Sequence, residues 1–432
     1  MNRDEALVAL GLPPGAEAGI TAAAWDESQR SYPSGGPPFL APGFVDQAGA
    51  DAGLPAEIRA AAGAAAAAVR ADPARSALAW HAHRVQYASP PGAYPREDVR
   101  TWPLLAETLG PDADLLYLLV LLSGMPGLMD LYRQRRIPPS VARETLSDLE
   151  RWVRRYRRQE GSWGLRPRGL SWLRNHLEGQ LFQLARLQHQ LGVFGGGVRV
   201  YRQRASGAVV ALAGDGLRFD AGGRLAPRDG PAAAPSGAGG WRSVLEAESD
   251  PPAVSGAPVS PAGVARRERL TLPAAAWTEA LVPGDPVLQL HIPDGSPMDF
   301  DACGESLRRA LEFFPRHFPE HRFRAFACSS WLLDPLLQRL LPPDSNVVRF
   351  QREVYLFPSP ADGGQMLETV FGSVPEDAAA LARVPQETTL QRALAAHLRA
   401  GGRAGSGRCF LLRDDLRWGE AVYHRRPGAA GP

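Results

Sequence analysis

His291 is the residue best suited by type and position to move a proton. Imidazole titrates near neutral pH, and His291 lies near the end of the apolar run Val287-Leu288-Gln289-Leu290-His291-Ile292. As a general base it would deprotonate an incoming amine; as a structural histidine it would bond the loop backbone and pin the following turn. Asp294 could orient the imidazole, or serve as the turn residue before Gly295. At a second junction stand Ser329 and Ser330, whose hydroxyls could hold a reacting carbonyl or donate to a leaving group. Either serine could equally cap the helix that follows. Cys328 is a possible nucleophile or a small core residue. Glu353 and Tyr355 alternate on a later apolar segment, where the tyrosine could be a general acid or a half-buried strand aromatic.

The elements that must carry these residues follow from periodicity. The run Val287–Ile292 reads as a strand, stopped by the turn Pro293-Asp294-Gly295-Ser296-Pro297. A helix follows, with Leu307, Ala310, Leu311 and Phe314 on one face. Phe323–Cys328 reads as a second strand, Ser329-Ser330-Trp331 as its junction, Leu332–Leu341 as a helix and Val347–Phe357 as a closing strand. Such alternation implies parallel strands with helical crossovers, which bind ligands beyond the carboxyl ends of the strands. His291 and Ser329-Ser330 sit at those ends.

Composition narrows the classes. The chain has 432 residues, room for two or three domains, with 44% hydrophobic and 22% charged residues, as in an ordinary globular protein. A net charge of +2 argues for neither a nucleic-acid nor a membrane partner. Every basic residue among the 48 is arginine. The absence of lysine excludes a Walker-type phosphate lysine, a Schiff-base lysine and a lysine base. Cys303, Cys328 and Cys409 lack CxxC spacing, which argues against a disulfide scaffold or structural zinc and fits a reducing, cytoplasmic setting. The N-terminus lacks a signal-peptide layout. Leu115–Met129 is apolar but interrupted by Gly124, Pro126 and Gly127, and reads as a buried helix with a break.

Along the chain, residues 1–160 read as a helical domain, with helices at Ala56–Arg70 and Val141–Tyr156. Arg151, Arg154, Arg155, Arg157 and Arg158 form a solvated, ion-paired face or a phosphate rim. Ser171–Leu191 reads as a long helix with Leu173, Leu177, Leu181, Leu184 and Leu187 inward. Composition then turns to β, with strands at Val198–Gln203, Ala208–Ala213 and Leu217–Asp220, and further candidates at Trp241–Glu248 and Arg267–Leu272. Residues 161–424 form the second expected domain, interrupted by a mobile loop at 227–240 and followed by a disordered tail at 425–432. A helix at Thr389–Arg399 precedes Gly401–Gly407 and a strand at Cys409–Arg413. That glycine run follows a helix and opens a strand, the reverse of a phosphate loop, and reads as a C-cap. His81 and His83 do not share a helix face, and prolines 315 and 319 are expected to separate His317 from His321, so no metal site is expected.

Five segments, Trp172–Leu184, Pro283–Pro293, Ser329–Pro335, Ser345–Gln351 and Thr388–Ala393, resemble a bacterial family of acyltransferases with a helical N-terminal domain and a GNAT-like C-terminal domain. The resemblance implies an α+β fold, an all-helical N-terminal domain followed by a mixed β-sheet flanked by helices. Val287–Ile292 would splay from Phe323–Cys328 and admit a pantetheine arm, while residues 198–272 would supply the early antiparallel strands. The co-substrate would be acyl-CoA or acetyl-CoA, with no metal, and a small-molecule or peptide amine acceptor would lie between the domains. His291 would be the base, with Ser330, Tyr355 and Glu353 beside it. His176 and Glu178 could reach the interdomain cleft. Ile292, Asp294, Gly295, Ser296 and Ser329 would line the cofactor, whose pyrophosphate would meet the following helix N-terminus or arginines such as Arg308 and Arg324. The family's Gln/Arg-x-x-Gly-x-Gly/Ala turn is replaced here by Asp294-Gly295-Ser296-Pro297-Met298-Asp299, with one glycine and acids that repel phosphate. That departure raises a rival reading, a non-catalytic GNAT-shaped module. A Ser330–His291 hydrolase lacks the Gly-x-Ser-x-Gly elbow.

Overall fold

The computed structural model describes residues 1–12, 19–92, 97–226 and 239–425. Most of the expected mobile loop (227–238) and tail (426–432) lie outside the described residues. The chain forms two compact units, Met1–Leu184 and Ala185–Pro432.

The first unit is built on helices. Leu115–Leu122 is buried along its whole length, and the break falls at Ser123-Gly124 before the helix Met125–Arg135. A Cβ on Gly124 would meet the Tyr87 ring at 2.5 Å, so glycine permits the close approach there. The helix Pro139–Glu160 buries Val141, Leu146, Leu149 and Val153 on one face. Along the same helix Arg151 pairs with buried Asp148, Arg154 with Glu150 and Glu57, and the Arg157 guanidinium lies 3.9 Å over the Trp163 ring. These three arginines form a paired helix face. His176 pairs with Asp148 at 3.2 Å and Glu178 with Arg174 at 2.6 Å, all buried within this unit.

The expected helix over 171–191 ends early. Pro167–Leu177 is helical, and Gly179 at φ +63° closes it: Gly179 N–H donates to His176 O and Gln180 N–H to Asn175 O. Leu181–Leu184 and Leu187–Val193 are strands. The leucines keep helical spacing, but the glycine cap overrides it.

The second unit holds the sheet that matters for function. Its strands within this unit are β1 (Leu187–Val193), β2 (Pro286–His291), β3 (Ala325–Ser330), β4 (Tyr355–Asp362) and β5 (Gly405–Leu412), in the spatial order β1-β2-β3-β5-β4. β2 and β3 are parallel; the other neighbours are antiparallel. The sheet is therefore mixed, as the α+β expectation requires. The antiparallel neighbour of β2 is β1, a segment read from sequence as helix. Residues 198–281 add no strand to this sheet, although Ala262 makes an isolated parallel bridge with Leu356 on β4. They make separate antiparallel sheets, Val198–Gln203 with Val209–Ala213, Pro258–Val259 and Trp277–Leu281, and Pro252–Gly256 with Glu246–Ser249 and Leu270–Pro273.

Two helices complete the frame. α1 (Phe300–His317) starts where the Asp299 carboxylate accepts from Ala302 N–H at 2.8 Å, and buries Cys303, Leu307, Ala310 and Phe314. Pro315 lies in its last turn without ending it, and the helix stops at His317; His321 lies outside and bonds Val287 O at 3.0 Å. α2 (Asn346–Glu353) occupies most of the expected closing strand. Ser345 caps it by accepting from Val348 N–H, and only Tyr355 onward is extended. Similarly, Leu332–Leu341 is a short 3-10 turn and one helical turn, interrupted at Asp334-Pro335.

Candidate functional site

The tips of β2 and β3 part. Val287 pairs with Ala325, Leu288 with Phe326 and Gln289 with Ala327, and there the parallel ladder ends. Continued by one register, Leu290 and His291 would face Cys328 and Ser329. Instead Leu290 and His291 pair outward with His189 and Gln188 on β1, and Cys328, Ser329 and Ser330 pair with Cys409, Arg408 and Gly407 on β5. Each strand keeps one neighbour while their shared edge opens at the carboxyl end.

Alternation sets which side chains line this opening. Val287, Gln289 and His291 share one face of β2, and Ala325, Ala327 and Ser329 the same face of β3. Val287, Ala325 and Ala327 are packed into the core against Val198, Val200 and Ala211, whereas His291 is half-buried and Ser329 exposed. The face is closed at its base and accessible at its tips. The other face is packed beneath α1, with Phe314 and Phe326 flanking His189 at 6.2 and 6.0 Å.

His291 is held by a residue the sequence did not single out. Its Nε2 lies 2.9 Å from Gln190 Oε1 on β1. An Nε2–H donating to this amide oxygen would leave Nδ1 as the basic nitrogen of the neutral imidazole. The turn after β2 is fixed by another unforeseen residue, Arg186, which donates to the carbonyls of Pro297 at 2.9 Å and Ser296 at 2.8 Å. Asp294, Gly295 and Ser296 stand exposed in that turn, with Gly295 at φ +97°, and Ile292 is half-buried at its start. The first turn of α1 carries Asp301, and its Ala302 amide is already bonded to the Asp299 carboxylate.

Other expected residues lie elsewhere. Ser330 caps the 3-10 turn, its hydroxyl accepting from Leu332 N–H at 3.2 Å. Tyr355 is buried, donates to Val259 O at 2.5 Å and accepts from Ala211 N–H at 3.3 Å; burial pushes its hydroxyl up to about 12. It is a core tyrosine, not an acid at the mouth. Glu353 is on α2, not on a strand with Tyr355, and its carboxylate accepts from Gly419 N–H at 2.8 Å and Ala421 N–H at 3.3 Å. Arg324 sits at the opposite end of β3, paired with Asp285 at 3.1 Å, too far along the strand to reach a ligand at the tips. Burial raises the Cys328 thiol to about 12, which suits a core residue. Arg308 stays exposed on α1, 3.4 Å from Glu305. No cluster of three or more metal-ligating side chains occurs among the described residues.

A family model described as the GNAT-like C-terminal domain matches residues 181–411, and one described as the N-acyltransferase N-terminal domain matches residues 44–179. Among solved structures the chain is similar to a mutant acyltransferase in complex with octanoyl-CoA, with TM-score 0.61 and 25% identity over 95% of this chain and 99% of that one. The same values relate it to an acyltransferase in complex with decanoyl-CoA and teicoplanin. They recur for an acyltransferase in complex with CoA and 10C-teicoplanin. A search of curated proteins gave no match.

Proposed function

Because the chain belongs to the family that joins an N-acyltransferase N-terminal domain to a GNAT-like C-terminal domain, we propose that it transfers an acyl group from acyl-CoA to an amine. The single observation that carries this reading is the end of the β2–β3 ladder at Gln289 and Ala327, two residues short of the tip of β2 and three short of that of β3. A pantetheine arm is narrow, amide-bearing and extended, and the released backbone edges offer it hydrogen-bonding groups of the kind strands exchange.

In this reading the thioester carbonyl stops beside His291. The amine attacks the carbonyl carbon, a tetrahedral intermediate forms, and the C–S bond breaks to release CoA as thiolate. His291 takes the proton from the attacking nitrogen, with Gln190 holding the ring by its other nitrogen. A backbone N–H on the opened edges stabilises the oxyanion. Ser329, exposed on the same face as His291, borders the thioester, and Ile292 with the 294–296 turn borders the arm.

The similar structures hold octanoyl-CoA, decanoyl-CoA and teicoplanin, which supports a medium-chain acyl donor and a small-molecule or peptide amine acceptor for this chain. Calorimetric titration with acetyl-, octanoyl- and decanoyl-CoA tests the donor directly, and thiol release on adding amines tests transfer. The reading expects saturable binding favouring the longer chains, and CoA release that depends on the amine. No binding to any of them overturns it.

A further inference from the structure

We propose that the phosphates of CoA are held by arginine side chains at a cavity formed by α1, α2 and the segment 416–419, in place of a glycine-rich loop; the proposal rests on the acyl-CoA reading above. The cavity has a volume of about 500 Å³, and Arg308, Arg349 and Arg417 reach it from those three separate elements. Asp301 is the one acid in the lining, which leaves three cations against one carboxylate. Asp301 and Arg308 lie seven residues apart, two helical turns, and so share a face of α1.

This cavity is built rather than incidental. Trp418 docks onto α1 where residue 304 is glycine, and a Cβ there would meet the indole at 2.4 Å. The Trp418 indole N–H donates to Phe300 O at 3.0 Å, and its ring lies 4.9 Å from Phe300 and 5.4 Å from Phe350 on α2. Glu353 holds the following backbone through Gly419 and Ala421. Arg349 is fixed over the Phe300 ring at 3.8 Å. Neither Arg349 nor Arg417 has a carboxylate partner among the described residues, and the only pair of Arg308 is with exposed Glu305. Two guanidinium groups without a carboxylate partner, beside a third paired only with Glu305, suit a ligand with several phosphate oxygens, because each planar fork can take two of them.

The turn after β2 explains why side chains would be needed. It carries Asp294 and Asp299 and a single glycine, Gly295, and the Asp299 carboxylate occupies the Ala302 amide in the first turn of α1. Negative charge and an occupied cap both turn a pyrophosphate away from the loop backbone. The cavity is instead lined by Phe300 and Asp301 of the same helix start, beside the three arginines.

The test compares calorimetric binding of decanoyl-CoA with that of decanoyl-pantetheine, which lacks the phosphates, in wild type, Arg349→Gln and Arg417→Gln. Each substitution should weaken decanoyl-CoA about tenfold, or about 1.4 kcal/mol, and leave decanoyl-pantetheine unchanged. Circular dichroism of both variants reports whether the fold is kept. Wild-type affinity for decanoyl-CoA in both folded variants would overturn the arginine site and leave the acyltransferase reading standing. Equal weakening of both ligands would also overturn it, since the loss would not concern phosphate. A wild-type protein that binds no acyl-CoA would remove both.

Discussion

Acidification should loosen the sheet at His189, one residue from the strand position opposite His291. His189 is completely buried on β1, its Nε2 3.0 Å from Ser306 Oγ and its ring between Phe314 and Phe326. Burial, helped by the charges of His291 and Arg309, lowers its pKa from 6.5 to about 3. Above the ordinary value the ring is neutral in both folded and unfolded chains, and pH has no purchase on it. As pH falls below 6.5 the unfolded chain takes a proton that the folded one refuses, so stability declines, and the decline ends near the folded value. At about 1.4 kcal/mol per pH unit, the loss between neutrality and about pH 5 is about 2 kcal/mol. His189→Gln keeps an N–H donor for Ser306 and removes the titration. Urea unfolding of both proteins at about pH 7 and about pH 5 separates the effect of His189 from that of every other titrating group. The wild type should lose about 2 kcal/mol more than the variant. Because desolvation is the larger cause, added salt should change this difference little. Equal pH dependence in the two proteins would refute the reasoning.

Ser330→Ala should cost about 1 kcal/mol in urea unfolding, the usual loss for a missing cap, and leave turnover unchanged; a large fall in turnover would return Ser330 to the chemistry. Tyr355→Phe should cost about 1–3 kcal/mol, because the Val259 carbonyl and Ala211 N–H lose a buried partner, with the rate of acyl transfer unaffected. Gly179→Ala should lower the melting temperature of the helical unit by several degrees, since the backbone there is at φ +63° and a Cβ would meet Leu131 at 2.1 Å. Melting like that of wild type would show that the Leu177–Leu181 turn relaxes without penalty.

Much of the frame was legible because local signals and tertiary structure agree. The strand expected over Val287–Ile292, the amphipathic helix after it and the helix 389–399 follow from periodicity and caps, and the structure gives Pro286–His291, Phe300–His317 and Thr389–Arg399. Two segments were misread where one local signal hid another. Leucines 173, 177, 181, 184 and 187 keep helical spacing across a glycine that ends the helix, and Val347-Val348 suggests a strand although Ser345 caps a helix. Mistaking 187–191 for helix also concealed the site's missing partner. Gln190 reaches His291 only because β1 pairs with β2 across about a hundred residues of sequence, and no local pattern encodes that register. Likewise Arg349 and Arg417 meet Arg308 through folding alone. Tyr355 and Glu353 misled for a simpler reason: polar side chains near strand ends satisfy backbone groups as readily as they perform chemistry.

The central claim is that an acyl thioester enters between the parted tips of β2 and β3 and meets His291 as the base. Its most direct test is His291→Ala, with decanoyl-CoA affinity and single-turnover acyl transfer measured on the same protein. The account predicts transfer slowed by at least about a hundredfold with donor affinity held near wild type. Transfer at the wild-type rate, or matching losses of affinity and rate, would contradict it.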